Sequence, residues 1–179
     1  NQGFSGDGGA GTSAQLSVPL GMTTDAAGNL YIADEENHRV RKVDFTTGII
    51  TTIAGSGVDN NSGDGGQATA AGIFGPRDVL IDKNGHLLIA SAGQIRSVNL
   101  TTGVITTIAG TNTTGYSGDG GPATAAQLSD IVYSITQDEA GNLYCTDVLN
   151  YCVRKIDTNG DISTVIGSNN PGESDGNGD

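Results

Sequence analysis

The sequence predicts an all-β protein of three β-propeller blades, each of four antiparallel strands, with a short helical turn in each crossover between blades. Three observations carry this. The pentapeptide SGDGG occurs at 5–9, 62–66 and 117–121, at spacings of about 57 and 55 residues, and a period of this length marks a repeat architecture. The segments between the copies match one another. Within each unit, runs of β-branched and apolar residues alternate with turn chemistry, and no helical periodicity of useful length intervenes.

The elements can be taken in order. After each glycine loop comes a run of helix formers too short for more than a turn or two, Ala14-Gln15-Leu16, Ala70-Ala71-Gly72-Ile73 and Ala125-Ala126-Gln127-Leu128. The first strand is expected at Gly21–Asp25, Asp78–Asp82 and Ser134–Asp138. The second is expected at Leu30–Ala33, Leu87–Ala90 and Leu143–Thr146, and the third at Arg39–Val43, Gln94–Val98 and Cys152–Ile156. The fourth is expected at Ile49–Ala54, Val104–Ala109 and Ile162–Ile166. The separators (Ala-Gly-Asn, Asn-Gly-His, Thr-Thr-Gly, Thr-Asn-Gly-Asp) are turn formers. The blades so defined cover about 14–55, 70–110 and 125–167 of a single segment spanning 1–179, and 168–179 opens a fourth repeat with Ser174-Asp175-Gly176.

Composition narrows the function classes. Twenty acidic residues against eight basic ones give a net charge of -12, which argues against nucleic-acid binding, because phosphate contacts need a cationic face. The longest apolar runs, such as Leu87-Leu88-Ile89-Ala90, fall far short of the roughly 20 residues of a membrane helix. No membrane span and no nucleic-acid partner are expected.

The motif GNLYIADEENHRVRKVD, together with the SGDGGPATAAQL leader and the following VPLGM, resembles the NHL-repeat family of β-propellers. The resemblance covers essentially the whole chain. The first unit matches best. The second departs at Ser91-Ala92-Gly93-Gln94, which shortens one hairpin, and the third carries Tyr151-Cys152 where the family has polar or basic residues. Members of the family close about six blades into a ring, so three blades are half of one. Enzymes of the family, such as the amidating lyase, use histidine-bound zinc. This chain has two histidines, His38 and His86, at unrelated places in their repeats, and this departure argues against carrying that activity over.

Four residue sets merit a reading as sites. Asp7, Asp64, Asp119 and Asp175 of the glycine loops are weak metal ligands, because one carboxylate per loop falls short of what calcium wants. The simpler reading is that the glycines permit left-handed turns while the Asp accepts backbone N–H bonds and caps the short helix. Asp34 with Asn37, and Asp147 with Asn150, read as turn-forming pairs with a surface ion pair to Arg39, Arg41 or Arg154. Cys145 and Cys152 flank one hairpin about equally far from its turn, which leads us to expect a cross-strand disulfide, with two reduced thiols as the alternative. Asn60, Asn99 and Asn112 head N-x-Ser/Thr sequons and are expected to be glycosylated in a secreted protein.

The function expected is that of an extracellular or cell-surface structural and interaction module, not an enzyme. It would bind protein or glycan, or self-assemble into a ring or filament through open blade edges, with other copies or flanking repeats as partners. The alternative class is a metal-dependent lyase or hydrolase. No cofactor is expected, calcium being the one cation considered.

Overall fold

The structure is a computed structural model and describes residues 3–169. The first sheet holds β1 (Pro19–Thr24), β2 (Leu30–Asp34), β3 (Arg39–Val43) and β4 (Ile50–Ala54), hydrogen-bonded in chain order. The second holds β5 (Asp78–Ile81), β6 (Leu87–Ser91), β7 (Gln94–Val98) and β8 (Ile105–Ala109) in the same order. The third adds a fifth strand: β9 (Gly121–Pro122) lies outside β13 (Asp161–Gly167), beyond β10 (Val132–Gln137), β11 (Leu143–Asp147) and β12 (Cys152–Ile156). All pairings are antiparallel.

The fifth strand explains the glycine loops. Gly121 and Pro122 pair with Ile162 and Asp161, and single bridges Ala10–Ile49 and Gln67–Val104 mark the same spot in the other blades. The backbone N–H groups of Gly8, Gly65 and Gly120 donate to the carbonyls of Ile50, Ile105 and Ile162 at 2.8–2.9 Å. Each loop therefore seals the outer edge of the blade that follows it, covering a row of backbone groups that would otherwise lie bare. The first glycine of each loop is obligatory there. Gly6, Gly63 and Gly118 have φ near +90°, and a Cβ would press on Ala14, Ala71 or Ala126.

The expected short helices are single 3-10 turns at Gly11–Ser13, Ala68–Ala70 and Ala123–Ala125, and none has a side-chain cap. The Asp of the loop thus does not cap a helix, because it is drawn to the sheet instead. The inner strands β1 and β10 begin two residues earlier than expected, each through a bulge before Met22 or Ile135, whereas β5 has none.

Two apolar clusters join the blades. One links Tyr31, Ala33, Val40 and Ala54 of the first blade to Ile73, Leu87, Ile89 and Ile105 of the second. The other links Leu88, Ala90, Ile95 and Ala109 of the second to Leu128, Ile135, Leu143 and Ile162 of the third. Alternate residues of one strand thus face opposite neighbours, as the period of two demands.

Candidate functional site

The acids of the glycine loops meet an arginine on the third strand of the same blade. Arg41 donates to Asp7 at 2.7 Å and Arg154 to Asp119 at 2.7 Å, and Arg96 makes the same pair with Asp64. The three guanidinium groups are buried, whereas the loop carboxylates are roughly 40–50% exposed, at 38%, 48% and 43%. The second carboxylate oxygen of Asp64 and of Asp119 accepts the backbone N–H of Thr107 and Thr164, at 2.9 and 3.1 Å. Burial works against the charged form of each loop acid. Hydrogen bonds from Thr52, Thr107 and Thr164 and from the arginines outweigh it and hold all three below the ordinary carboxylate value.

In the first and third blades a second, fully buried acid completes the clamp. Asp34 accepts the Ser17 N–H at 2.7 Å and the Asn37 Nδ2 at 2.9 Å, and faces Arg41 Nη1 at 3.4 Å. Asp147 repeats this with Ser129 (2.8 Å), Asn150 (2.8 Å) and Arg154 (3.4 Å). The Asx turn pairs are therefore as the residues imply, but the ion pair is internal and not on the surface. Asn37 and Asn150 also donate to the carbonyls of Gly3 and Gly115, tying each hairpin to the glycine loop (2.9 and 2.7 Å). The second blade has Ser91 in place of the buried acid; Arg96 keeps the serine-carbonyl bond common to all three blades (Ser62, 3.0 Å) and closes on the Gly72 carbonyl at 2.7 Å, where Arg41 reaches Gln15 at 3.4 Å.

The pairing of these arginines with the loop acids, and Arg96 as the third of them, are what reasoning from the sequence missed. The signal was present: VRKV, IRSV and VRKI place an arginine at one repeat position in all three units, and an aromatic precedes SGDGG in two of them. The Asp7, Asp64 and Asp119 carboxylates are committed to separate blades and are not gathered, and Asp175 lies outside the described residues. Among the described residues no group of three or more His, Cys, Asp and Glu is placed to hold a metal ion.

The cysteine pair is corrected. The register sets Cys145 opposite Arg154 and Cys152 opposite Asp147, so the two are diagonal by two residues and not facing. Diagonal neighbours sit about 7–8 Å apart, too far for a disulfide, and both thiols are free and buried. Burial, with the Asp147 charge behind it, pushes the Cys145 thiol up to about 12 and raises Cys152 as well. Of the sequon residues, Asn60 and Asn112 are exposed, while the Asn99 side chain accepts the N–H groups of Thr101 and Thr102 (2.9 and 3.0 Å).

The inner strands form a cleft of about 400 Å³ lined by Pro19, Leu20, Gly21, Arg77, Asp78, Tyr133 and Ser134. Its polar groups hold neighbouring blades together. Gly21 N–H donates to the Arg77 carbonyl (2.8 Å), and a side chain at Gly21 would collide with Asp78. Arg77 pairs with Glu35 (3.3 Å), and Asp78 accepts from Ser134 Oγ and the Ile135 N–H (3.0 and 2.9 Å). His38 accepts the Gly75 N–H at its Nδ1, 3.2 Å, whereas His86 Nδ1 lies 3.7 Å from Asp82.

Comparison with known proteins agrees with this architecture. The family described as the teneurin NHL domain matches residues 57–117, and the NHL repeat matches residues 16–43. NHL repeat-containing protein 2 of Homo sapiens is 36% identical over 104 residues, 56% of this chain and 14% of that protein. Teneurin-3 of Danio rerio is 31% identical over 102 residues, 50% of this chain and 4% of that protein. The chain thus spans a small part of these relatives. Among solved structures, a structural genomics protein of unknown function from Bacteroides thetaiotaomicron superposes with a TM-score of 0.67 at 18% identity, over 87% of this chain and 36% of that one. A chain of a nidogen/laminin complex superposes at 0.57 and 16% identity, over 86% and 52%. Virginiamycin B lyase from Staphylococcus aureus does so at 0.52 and 14%, over 83% and 41%. At these identities the likeness speaks for the fold.

Proposed function

Because the chain is built of NHL repeats of the β-propeller class, we propose that it serves as an interaction module. It joins flanking blades or further copies of itself through its open blade faces and presents the completed stack to a protein or glycan partner. One observation carries this. Ala54 and Ala109, at one repeat position, are wholly buried between blades, and their counterpart Ile166 on the last face is 66% exposed. On the first face Met22 is 63% exposed where Val79 and Ile135 are buried. Both ends keep apolar side chains at positions that elsewhere form the core, and such faces gain stability only when a neighbour covers them.

A head-to-tail arrangement follows from the repeat, since the last face is built like those that receive a following blade. Two copies of three blades would close a six-bladed ring, and an imperfect rotation would run on as a filament. We read the setting as extracellular or cell-surface, on the strength of the three sequons in turns. Against the lyase alternative stands the histidine content: His38 and His86 fall at unrelated places in their repeats and give no shared ligand ring.

Sedimentation equilibrium of the full chain tests the reading. Association that rises with concentration, and that is lost in Met22→Lys and Ile166→Lys variants, is the expected result. A monomer of 18.0 kDa at all concentrations, with one cooperative unfolding transition, would overturn it.

A further inference from the structure

The slot beneath the residue that precedes each SGDGG loop is filled in two blades and open in the third. In the first blade the Phe4 ring lies against two arginines, with Arg39 Cζ 3.9 Å and Arg41 Cζ 4.7 Å from its centroid. In the third, the Tyr116 ring lies 5.0 Å from Arg154 Cζ, and its hydroxyl is 2.9 Å from Thr164 Oγ1. The second blade has Asn61 at this position, and that side chain turns away. It donates to the Ala92 carbonyl (2.8 Å) and to Asn112 Oδ1 (3.0 Å), and accepts the Phe74 N–H (2.9 Å). The shortened hairpin accounts for this. It lacks the asparagine that ties the loop in the other blades, and Asn61 makes that tie from the loop side.

What is left is a cavity of about 160 Å³, lined by Asn61, Ser62, Asp64, Gln94, Arg96 and Thr107. Arg96 and Thr107 are the counterparts of the Arg154 and Thr164 that hold Tyr116. Gln94 stands where Arg39 covers Phe4. It is 8% exposed, and among the described residues its side-chain amide has no hydrogen-bond partner. The Thr164 hydroxyl, at the repeat position of Thr107, meets the Tyr116 phenol at 2.9 Å, so this threonine position is suited to a phenol.

We propose that this slot on the second blade receives one aromatic side chain, a tyrosine before a phenylalanine, from a partner protein. The volume suits a single six-membered ring, since a cavity of about 150 Å³ holds benzene. The Arg96 guanidinium meets the ring face as its counterparts do. The Thr107 hydroxyl meets the phenol, and the Gln94 amide meets the backbone that carries the ring. A buried aromatic on a desolvated arginine is the usual composition of an interface hot spot. The reading of the chain as an interaction module supplies the kind of occupant, but the slot lies at the outer edge of the blade and away from the open faces.

The test uses p-cresol, the tyrosine side chain by itself, titrated into the full chain while the Arg96 Nε–H and Thr107 N–H resonances are followed by NMR. Saturable shifts are expected at these two and not at Arg41 or Arg154, whose slots are filled. Asn61→Tyr supplies the ring from within the chain. It is expected to weaken p-cresol at least tenfold and to raise the thermal midpoint. Thr107→Val is expected to weaken p-cresol more than toluene. The proposal is overturned if p-cresol gives no saturable shift in the native chain, if folded Asn61→Tyr binds it unchanged, or if Thr107→Val affects the two probes alike. Binding of p-cresol is read on one chain, so its failure is distinct from failure of the open faces to associate.

Discussion

Replacing Asp147 by alanine tests the buried clamp most directly. The carboxylate is inaccessible to solvent and accepts from Ser129, Asn150 and Arg154. Its removal leaves the Arg154 guanidinium buried beside one half-exposed acid, with its Nε already without a partner. Truncating one member of a buried ion pair costs about 3–5 kcal/mol. For a chain of this size that corresponds to a midpoint lower by about 6–20 °C. Asp119→Ala removes an acid that is 43% exposed, and exposed pairs are worth about 0–1 kcal/mol. The lost Thr164 bond adds about 1 kcal/mol. The second blade bounds the estimate from below: Arg96 lives without the buried acid by donating to the Gly72 carbonyl at 2.7 Å. Urea unfolding followed by far-ultraviolet circular dichroism at one fixed protein concentration gives the difference as a shift in midpoint at constant slope. An Asp147→Ala cost no greater than that of Asp119→Ala would refute the claim that the inner acid carries the clamp.

Other outcomes follow from the same geometry. Asp7, Asp64 and Asp119 titrate below the ordinary carboxylate value when folded and near about 3.9 when unfolded. Their contribution is therefore present above about pH 4 and is lost as pH falls through the folded values. Removing all three should flatten the acid limb of a stability–pH curve. Calcium at millimolar concentration should leave the thermal midpoint unchanged, since these carboxylates are already committed to Arg and Thr partners; a calcium-dependent rise would restore the metal reading. Native protein should resist iodoacetamide at pH 8, and unfolding without reductant should release two alkylatable thiols by mass. Ala54→Lys should unfold the chain by forcing a charge into a closed interface, whereas Ile166→Lys should cost the isolated chain less than about 0.5 kcal/mol, as surface changes do.

Much of this was legible in the residues. Turn formers at fixed period and alternating β-branched runs specify the four main strands of each blade and the blade number, because backbone preference and side-chain alternation act over a few residues. The partners of SGDGG were not legible in the same way. Asp7 and Arg41 are 34 residues apart, and only closure of the four-stranded sheet brings the loop over β3. The cysteines show the reverse error. Equal distance from a turn looked like opposition, but the 3-10 turn at Val148–Asn150 sets the register so that Cys145 faces Arg154.

The sequence by itself determined an all-β repeat of three blades, the four main strands of each, and a net charge of -12. Only the tertiary structure decided that the loop acid clips to a buried arginine, that the cysteines miss one another, and that one aromatic slot stands open. The reason is physical. Periodicity is a local property of the chain, whereas burial of a guanidinium and the fate of its charge depend on which distant segments the sheet brings into contact.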